Sequence, residues 1–183
     1  MITKNLKKLS AGILCTSSNQ NCFIPLVDDT GATVYASMPY ASNSNGRYFP
    51  GVGAITSYVE ATSIQGIMAG TGTTPPTEDD YSLESPLLSG ASKTLTPVFS
   101  LDANGNPIVS VDITIPNTGD SPITVSEIGY IVNVRCSATS GGSSASNKRI
   151  LLDRTLLSSP VTIPAGSSAT ITYTLTGVWN TGA

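Results

Sequence analysis

The residues best suited to chemistry in this chain are four carboxylates close together in the sequence, Glu78, Asp79, Asp80 and Glu84. Two carboxylates that flank a glycosidic bond can hydrolyse it, and the neighbouring Tyr81 offers a ring on which a sugar could stack. Three of these acids are adjacent, however, and acids at the start of a helix are favoured by the helix dipole and by capping. We therefore interpret the cluster as the capping of a short helical turn over residues 78–83.

The sequence contains no histidine. This excludes the Ser-His-Asp and Cys-His nucleophile arrangements and removes the commonest general base at neutral pH. The three cysteines, Cys15, Cys22 and Cys136, form no CxxC pair and no zinc spacing. Their odd number favours free thiols in a reducing compartment over a Cys15–Cys22 disulfide. We predict that the protein is not an enzyme and has no cofactor and no metal site.

Two turns resemble ligand-binding loops. Residues 70–72 read Gly-Thr-Gly, but Pro75 stands where a dinucleotide-binding motif has its third glycine, so we predict a structural turn. Asp102, Asn104 and Asn106 occupy the first alternating positions of a calcium loop, without the glutamate that should follow at the twelfth position. We interpret them as a hairpin turn, which leaves weak calcium binding open.

Charged residues form only 11% of the 183 residues and the net charge is −3. The usual charged fraction is about 25%, and nucleic-acid binding needs clustered Lys and Arg, so no nucleic-acid partner is expected. No apolar run approaches the ~18 residues of a membrane helix, so no membrane partner is expected either. The neutral, hydroxyl-rich composition suits contact with proteins or sugars.

The N-terminal residues carry one apolar stripe. Ile2, Leu6, Leu9 and Ile13 follow each other at spacings of four, three and four, which predicts a short amphipathic helix. A helix of this size is marginal alone, so the stripe should dock on the same subunit or on a neighbour. We expect residues 1–21 to form a helical arm whose stripe is an assembly or contact surface.

From Cys22 onward the pattern changes to short strands and turns. Val111, Ile113 and Ile115, for example, alternate with Asp112 and Thr114, as expected of a half-buried strand. Many short strands at this spacing indicate an all-β fold, an antiparallel β-sandwich of immunoglobulin-like or jelly-roll-like type, over residues 22–183. The predicted strands are 23–27, 33–37, 55–59, 63–69, 95–101, 108–115, 123–134, 150–157, 160–163 and 169–176.

Two long loops and one ion pair complete the predicted domain. Loops are expected at 38–53 and 137–147, and the first contains the aromatic residues Tyr40, Tyr48 and Phe49, which we predict to be a contact surface. Glu127 and Arg154 fall on predicted strands, and we expect them to form a cross-strand pair that stabilises the fold.

Four segments together resemble a module of tailed-bacteriophage virion proteins. They read GIMAGTGTTPPTEDDYSLE at 66–84, ITVSEIGY at 123–130, LLDRT at 151–155 and SPVTIPAG at 159–166, followed by a strand with alternating threonines. Their order is moderately specific, and they extend over about the C-terminal two thirds of the chain.

This resemblance implies a non-enzymatic β-sandwich subunit of a phage particle, such as a capsid decoration, neck or tail component. Its expected partners are other copies of itself and other virion proteins, and its expected location is the virion, after synthesis in the host cytoplasm. The alternative is a receptor- or glycan-binding tip domain of a tail or head fibre. That domain would contact a host surface through Tyr40, Tyr48, Phe49 and Trp179.

Overall fold

The computed structural model describes residues 1–12, 22–38, 57–58, 66–87, 93–94, 97–141 and 145–176. It consists of one short helix and two β-sheets packed together, which confirms the predicted all-β sandwich with a short N-terminal helix. The elements are α1 (Lys4–Gly12), β1 (Cys22–Val27), β2 (Thr33–Met38), β3 (Ser57–Tyr58), β4 (Gly66–Gly70), β5 (Lys93–Thr94), β6 (Val98–Leu101), β7 (Pro107–Pro116), β8 (Ile123–Ser137), β9 (Ala145–Ile163) and β10 (Ser168–Thr176).

The larger sheet has seven strands and is organised around β8. Its order is β1-β2-β8-β4-β3-β5, and β9 pairs with β8. All of these pairings are antiparallel except that of β3 with β4. β9 follows β8 along its length, whereas β4 pairs with residues 127–131 and β2 with residues 136–137 of the same strand. β8 is therefore the strand from which the rest of this sheet is built.

The smaller sheet has the order β10-β7-β6, and its inner face closes the core. Val111, Ile113 and Ile115 of β7 and Tyr173 of β10 are buried in one apolar cluster with alternate residues of β8. The alternation predicted for this strand is thus the inward and outward alternation of a sandwich sheet. Burying such side chains contributes roughly 1.5–3 kcal/mol each, so the two inner faces hold the layers together.

The strand β9 is longer than the sequence suggested. Two strands were expected at 150–157 and 160–163, but one strand spans Ala145–Ile163 and includes Pro160. Its pairing with β8 shifts register between Val125 and Glu127 and again between Tyr130 and Ile131. Proline lacks a ladder donor and is tolerated where pairing on that side is not required. A proline therefore did not end this strand.

The N-terminal residues belong to the sandwich. Ile2 forms an antiparallel bridge with Asp153, and the backbone N–H of Thr3 donates to Leu152 O at 3.0 Å, so this segment lines the outer edge of β9. Leu9 is only 4% exposed and lies in the main core. The short helix thus docks on its own subunit, one of the two alternatives that its stripe left open.

Asn5 fixes the helix to the end of β1. Its side-chain amide donates to Val27 O at 2.9 Å and its Oδ1 accepts from Val27 N at 2.9 Å, as a neighbouring strand would do. The same amide donates to Leu151 O at 3.3 Å. Among the residues that the structure describes, no helix has the length and apolar character needed to cross a membrane.

Candidate functional site

Residues 71–87, here called the covering segment, leave β4 and return beside it. Thr71 N donates to Ser85 O at 2.8 Å, and Leu87 N donates to Ala69 O at 2.9 Å. Leu83 is buried with Met68, Ile131 and Leu151 in a second apolar cluster. These contacts place the acidic residues of the segment above β8 and β9 of the larger sheet.

Glu127 lies beneath the covering segment and is fully buried. Its Oε1 accepts from Gly72 N at 3.2 Å and Ser85 N at 2.8 Å, and its Oε2 accepts from Glu84 N at 3.2 Å. Arg154 Nε donates the fourth hydrogen bond to Oε2, at 2.7 Å. A carboxylate offers about four acceptor positions, and here all are used. The Glu127 carboxylate thereby accepts the hydrogen bonds of three backbone N–H groups, as the carbonyl groups of a neighbouring strand would do.

Arg154 is the cation of this arrangement, and its side chain is 4% exposed. Besides Glu127, it donates from Nη1 to Asp80 Oδ2 at 2.8 Å and from Nη2 to Thr74 O at 3.1 Å and Glu84 Oε2 at 3.4 Å. Burial would lower the pKa of Arg154, but the hydrogen bonds to Asp80 and Glu127 outweigh it and raise that pKa. We call Arg154, Glu127, Asp80, Glu84 and Thr74 the Arg154 cluster.

The predicted pairing of Glu127 with Arg154 is confirmed. The two residues are diagonal neighbours, since Arg154 lies opposite Gly129 and Glu127 lies opposite Leu156. Gly129 has no side chain, and a Cβ at this position would lie 2.7 Å from Leu83 Cδ2. The glycine of the EIGY segment therefore leaves room for the covering segment to approach the sheet.

Glu84 organises the turn before the two prolines. Its Oε2 accepts from the backbone N–H groups of Thr73 and Thr74, both at 2.8 Å, and its Oε1 accepts from Thr74 Oγ1 at 2.7 Å. The hydrogen bonds from Thr74 lower the pKa of Glu84, and Arg154 acts in the same direction. This carboxylate is held ionised as an acceptor for its own loop.

The predicted helical turn over 78–83 is wrong, although Thr77 and Asp80 are hydrogen-bonded to each other. Thr77 N donates to Asp80 Oδ2 at 3.0 Å, which is one half of a capping box, but Thr77 Oγ1 donates to Asp80 Oδ1 at 2.8 Å and does not accept from the Asp80 N–H. Residues 78–79 form only a turn, and Asp80 turns inward to Arg154. Of the two side chains expected to pack there, Leu83 is buried and Tyr81 is 41% exposed. Pairing with a buried arginine outweighed the local helix signal.

The remaining two acids meet the N-terminal helix. Lys4 Nζ lies 2.6 Å from Asp79 Oδ1, and Lys7 Nζ pairs with Glu78 Oε1. The Glu78 carbonyl also accepts from Lys4 N at 2.8 Å, which satisfies one N–H at the helix start. All four acids that the sequence singled out are thus ion-paired within the chain.

The close approach of the covering segment gives a mutational prediction. A Cβ at Gly70 would lie 2.5 Å from Glu127 Oε1 and 2.7 Å from the Ser85 carbonyl oxygen, which is backbone and cannot easily move. We expect Gly70→Ala to lower the free energy of unfolding by about 1–3 kcal/mol through overpacking. Gly119→Ala is the matched control, because its Cβ would meet only Asn117 Oδ1, at 3.4 Å. Urea unfolding of both variants measures the difference, and equal midpoints would contradict the predicted contact.

The carboxylates of the cluster also predict a pH dependence. Burial would raise the pKa of Asp80, but Arg154 and Thr77 outweigh it, and that pKa lies below the ordinary 3.8. A carboxyl whose pKa is lowered on folding stabilises the protein above its unfolded-state pKa, and this contribution is lost as the pH falls through the folded-state pKa. We expect the urea midpoint to fall between about pH 5 and about pH 2, and to fall less in Asp80→Asn. Parallel pH profiles would contradict this role.

A second polar cluster lies on the core side of β9. The Asp153 side chain is 6% exposed, and its Oδ1 lies 3.1 Å from the Met1 ammonium nitrogen. Its Oδ2 accepts from Tyr173 Oη at 2.9 Å and Thr155 Oγ1 at 3.0 Å. Burial raises the pKa of Tyr173 well above its usual range, so the phenol stays a donor. This cluster connects the N-terminal residues, β9 and the smaller sheet.

An open cavity of about 280 Å³ lies beside the covering segment. Tyr81 borders it, while Arg154 and Asp80 form part of its wall. Five residues of that wall are already hydrogen-bonded to one another, namely Arg154, Asp80, Glu84, Thr74 and Thr77. The cavity could accommodate a small hydroxylated molecule, with Tyr81 as its exposed aromatic side chain.

The two turns that resemble ligand loops are structural in the described residues. Gly72 N donates to Glu127, so the Gly-Thr-Gly turn faces a carboxylate and is not shaped for phosphate. Asp102 Oδ1 accepts from Asn104 N and Asn106 N at 2.8 Å each, which closes the hairpin between β6 and β7. In the parts of the chain that the structure describes, no group of three or more acidic or cysteine side chains could hold a metal ion.

The predicted contact residues have different positions. Leu6 is partly buried against the core and Leu9 is buried, so both pack within their own subunit, and their role as an assembly or contact surface stays a prediction. Ile2 is half-buried beside β9. The other predicted contact residues, Ile13, Tyr40, Tyr48, Phe49 and Trp179, lie outside the described residues.

No protein-family profile, curated protein or solved structure matches this chain. The fold and the Arg154 cluster therefore stand on the sequence and the geometry alone. Reasoning from the sequence missed the Asp153 cluster and the role of Asn5. The signal for Asp153 was its place directly after the apolar residues 150–152 of a predicted strand, since a charge there must be paired when buried.

Proposed function

We propose that this chain is a non-enzymatic structural subunit of a tailed-bacteriophage particle that assembles through protein–protein contacts. The observation that carries the proposal is the internal pairing of all four acids with Arg154, Lys4 and Lys7. The side chains best suited to chemistry are used to pair one segment with the larger sheet and with the N-terminal helix. Three of the four segments that resemble phage virion proteins, at 66–84, 123–130 and 151–155, meet at this contact.

The experiment that tests this proposal looks for the protein on particles. Antibodies raised against the purified domain would be used in immunogold electron microscopy of phage particles purified from cells that produce the protein. Gold at one repeated position on head, neck or tail is the expected result. Particles that lack the protein in both immunogold labelling and mass spectrometry would contradict the proposal.

The cavity beside Tyr81 favours a second candidate, a receptor- or glycan-binding tip domain of a fibre. An exposed tyrosine next to hydrogen-bonding groups is a common way to bind a sugar ring. Binding of the isolated protein to a glycan array, lost in Tyr81→Ala, would support this candidate. If no glycan binds, or if binding survives Tyr81→Ala, this cavity is not a sugar site.

A further inference from the structure

The strand β6 at one edge of the smaller sheet is apolar and exposed. Val98, Phe99 and Leu101 are 61%, 70% and 62% exposed, and Ser100 is exposed as well. Of the five large hydrophobic residues that are exposed in the described part of the chain, three lie on this four-residue strand. Single exposed hydrophobic residues are normal, but a group on a sheet edge marks an interaction site.

The opposite edge of the same sheet differs. On β10 the exposed positions are occupied by Ser168 and by threonines such as Thr170 and Thr172, while Ile171 and Leu175 pack against the core. Thr170 Oγ1 lies 3.2 Å from Thr114 Oγ1, and Thr172 Oγ1 donates to Asp112 at 2.7 Å. The apolar edge is therefore a property of β6 and not of the sheet as a whole.

The apolar face of β6 continues the core. Phe99 pairs with Val109 and Leu101 pairs with Pro107, and directly paired residues of antiparallel strands lie on the same face. Val109 packs against the core, and Leu175, its partner on β10, does so too. The three cross-strand neighbours Leu175, Val109 and Phe99 thus lie on one face of the sheet. The first two pack against the core, and Phe99 on β6 is exposed to solvent. The inner face of the smaller sheet extends beyond what the larger sheet covers.

We propose that β6 pairs antiparallel with β6 of a second copy of this chain, which extends the smaller sheet to the order β10-β7-β6-β6-β7-β10. This interface rests on the proposed function, for which it supplies one subunit contact. Among the described residues no strand pairs with the outer edge of β6, so its free N–H and C=O groups can form a new ladder. A two-fold axis perpendicular to the sheet keeps the inner faces of both copies on one side, so Phe99 and Leu101 of each copy meet the same residues of the other.

The absence of charge on β6 permits an identical strand as the partner. Residues 98–101 carry no charge, whereas strands that avoid self-pairing usually place lysine or another charge on the exposed edge. Two copies can therefore approach without repulsion along the strand. The strand is short, and a stable interface usually buries about 1,200–2,000 Å², so this contact is weak alone and gains strength in an assembly with several contacts per subunit.

Nuclear magnetic resonance of the whole chain over a concentration series tests this pairing. We expect the backbone amide signals of residues 98–101 to shift as the concentration rises. Over the same series, the average mass measured by light scattering should rise from 18.8 kDa toward twice that value. Phe99→Lys should abolish both changes, since it puts like charges on the edge of both copies. Thr170→Lys, with the same change of charge at an exposed site on the opposite edge, should behave as wild type.

Two results would overturn the pairing. One is the absence of any concentration-dependent shift at β6, and the other is association of Phe99→Lys equal to that of wild type. A folded spectrum of Phe99→Lys confirms that the substitution acts on the edge and not on the fold. Immunogold labelling of particles is independent of this result, so loss of the β6 contact and loss of the proposed function are distinguishable.

Discussion

Replacing Arg154 by alanine is expected to lower the free energy of unfolding by about 3–5 kcal/mol. The substitution removes the only cation in contact with the fully buried Glu127 among the described residues. A buried carboxylate without its partner costs more than the pair contributed, because the charge remains away from water. Asp80 loses the hydrogen bond from Arg154 and keeps those from Thr77, and the carbonyl of Thr74 loses its donor Arg154.

Urea unfolding followed by circular dichroism measures this effect. Lys4→Ala is the control, because it breaks an ion pair in which both side chains are well exposed, and such pairs contribute little. The midpoint of Lys4→Ala should be close to that of wild type, and the midpoint of Arg154→Ala much lower. A change of less than about 1 kcal/mol in Arg154→Ala would show that the cluster does not hold the covering segment.

Replacing Leu9 by alanine is expected to lower the free energy of unfolding by about 3 kcal/mol. Leu9 is 4% exposed and belongs to the main core, so the substitution leaves a cavity where the helix meets the sheet. The helix is also fixed by Asn5 and by the bridge of Ile2 with β9, so it cannot easily move inward to fill that space.

Leu101→Ala is the matched control for Leu9→Ala. It removes the same atoms at a position that is 62% exposed, and at low protein concentration it should leave the unfolding midpoint nearly unchanged. If Leu9→Ala unfolds like wild type, and deletion of residues 1–12 also leaves the midpoint unchanged, the helix is not part of the core. The stripe would then be free for a neighbouring subunit.

Much of the fold was predictable from the sequence because its strands alternate strongly. The clearest case is β7, in which Val111, Ile113 and Ile115 face the core as the pattern indicates. The pairing of Glu127 with Arg154 was also predicted, since opposite charges on adjacent strands favour each other. Local patterns suffice where each strand has one polar and one apolar face.

The Arg154 cluster as a whole was not predictable. Asp80 and Glu84 are distant in the sequence from Arg154, and their local signals indicated a capped helical turn. The contact depends on two register shifts between β8 and β9 and on the close approach that Gly70, Gly72 and Gly129 permit. These are properties of the assembled sheet, and no local pattern contains them.

The continuous strand β9 was not predictable from the sequence either. Pro160 indicated a break between two strands, because proline cannot donate to a ladder. The strand continues because pairing with β8 requires no donor there, and Val161 and Thr162 resume the ladder with Val125 and Thr124. A sequence pattern cannot distinguish a proline that ends a strand from one whose nitrogen faces away from the partner.

A double-mutant cycle between Glu127 and Arg154 would show whether these two residues form a structural contact. The free energies of unfolding of Glu127→Gln, Arg154→Met and the double variant would be compared with wild type. We expect each single variant to be strongly destabilised and the double variant to be less destabilised than the sum of the two, with a coupling of about 1–3 kcal/mol. Additive effects, or single variants as stable as wild type, would contradict this expectation, because residues kept for an activity and not for the fold can be replaced without loss of stability.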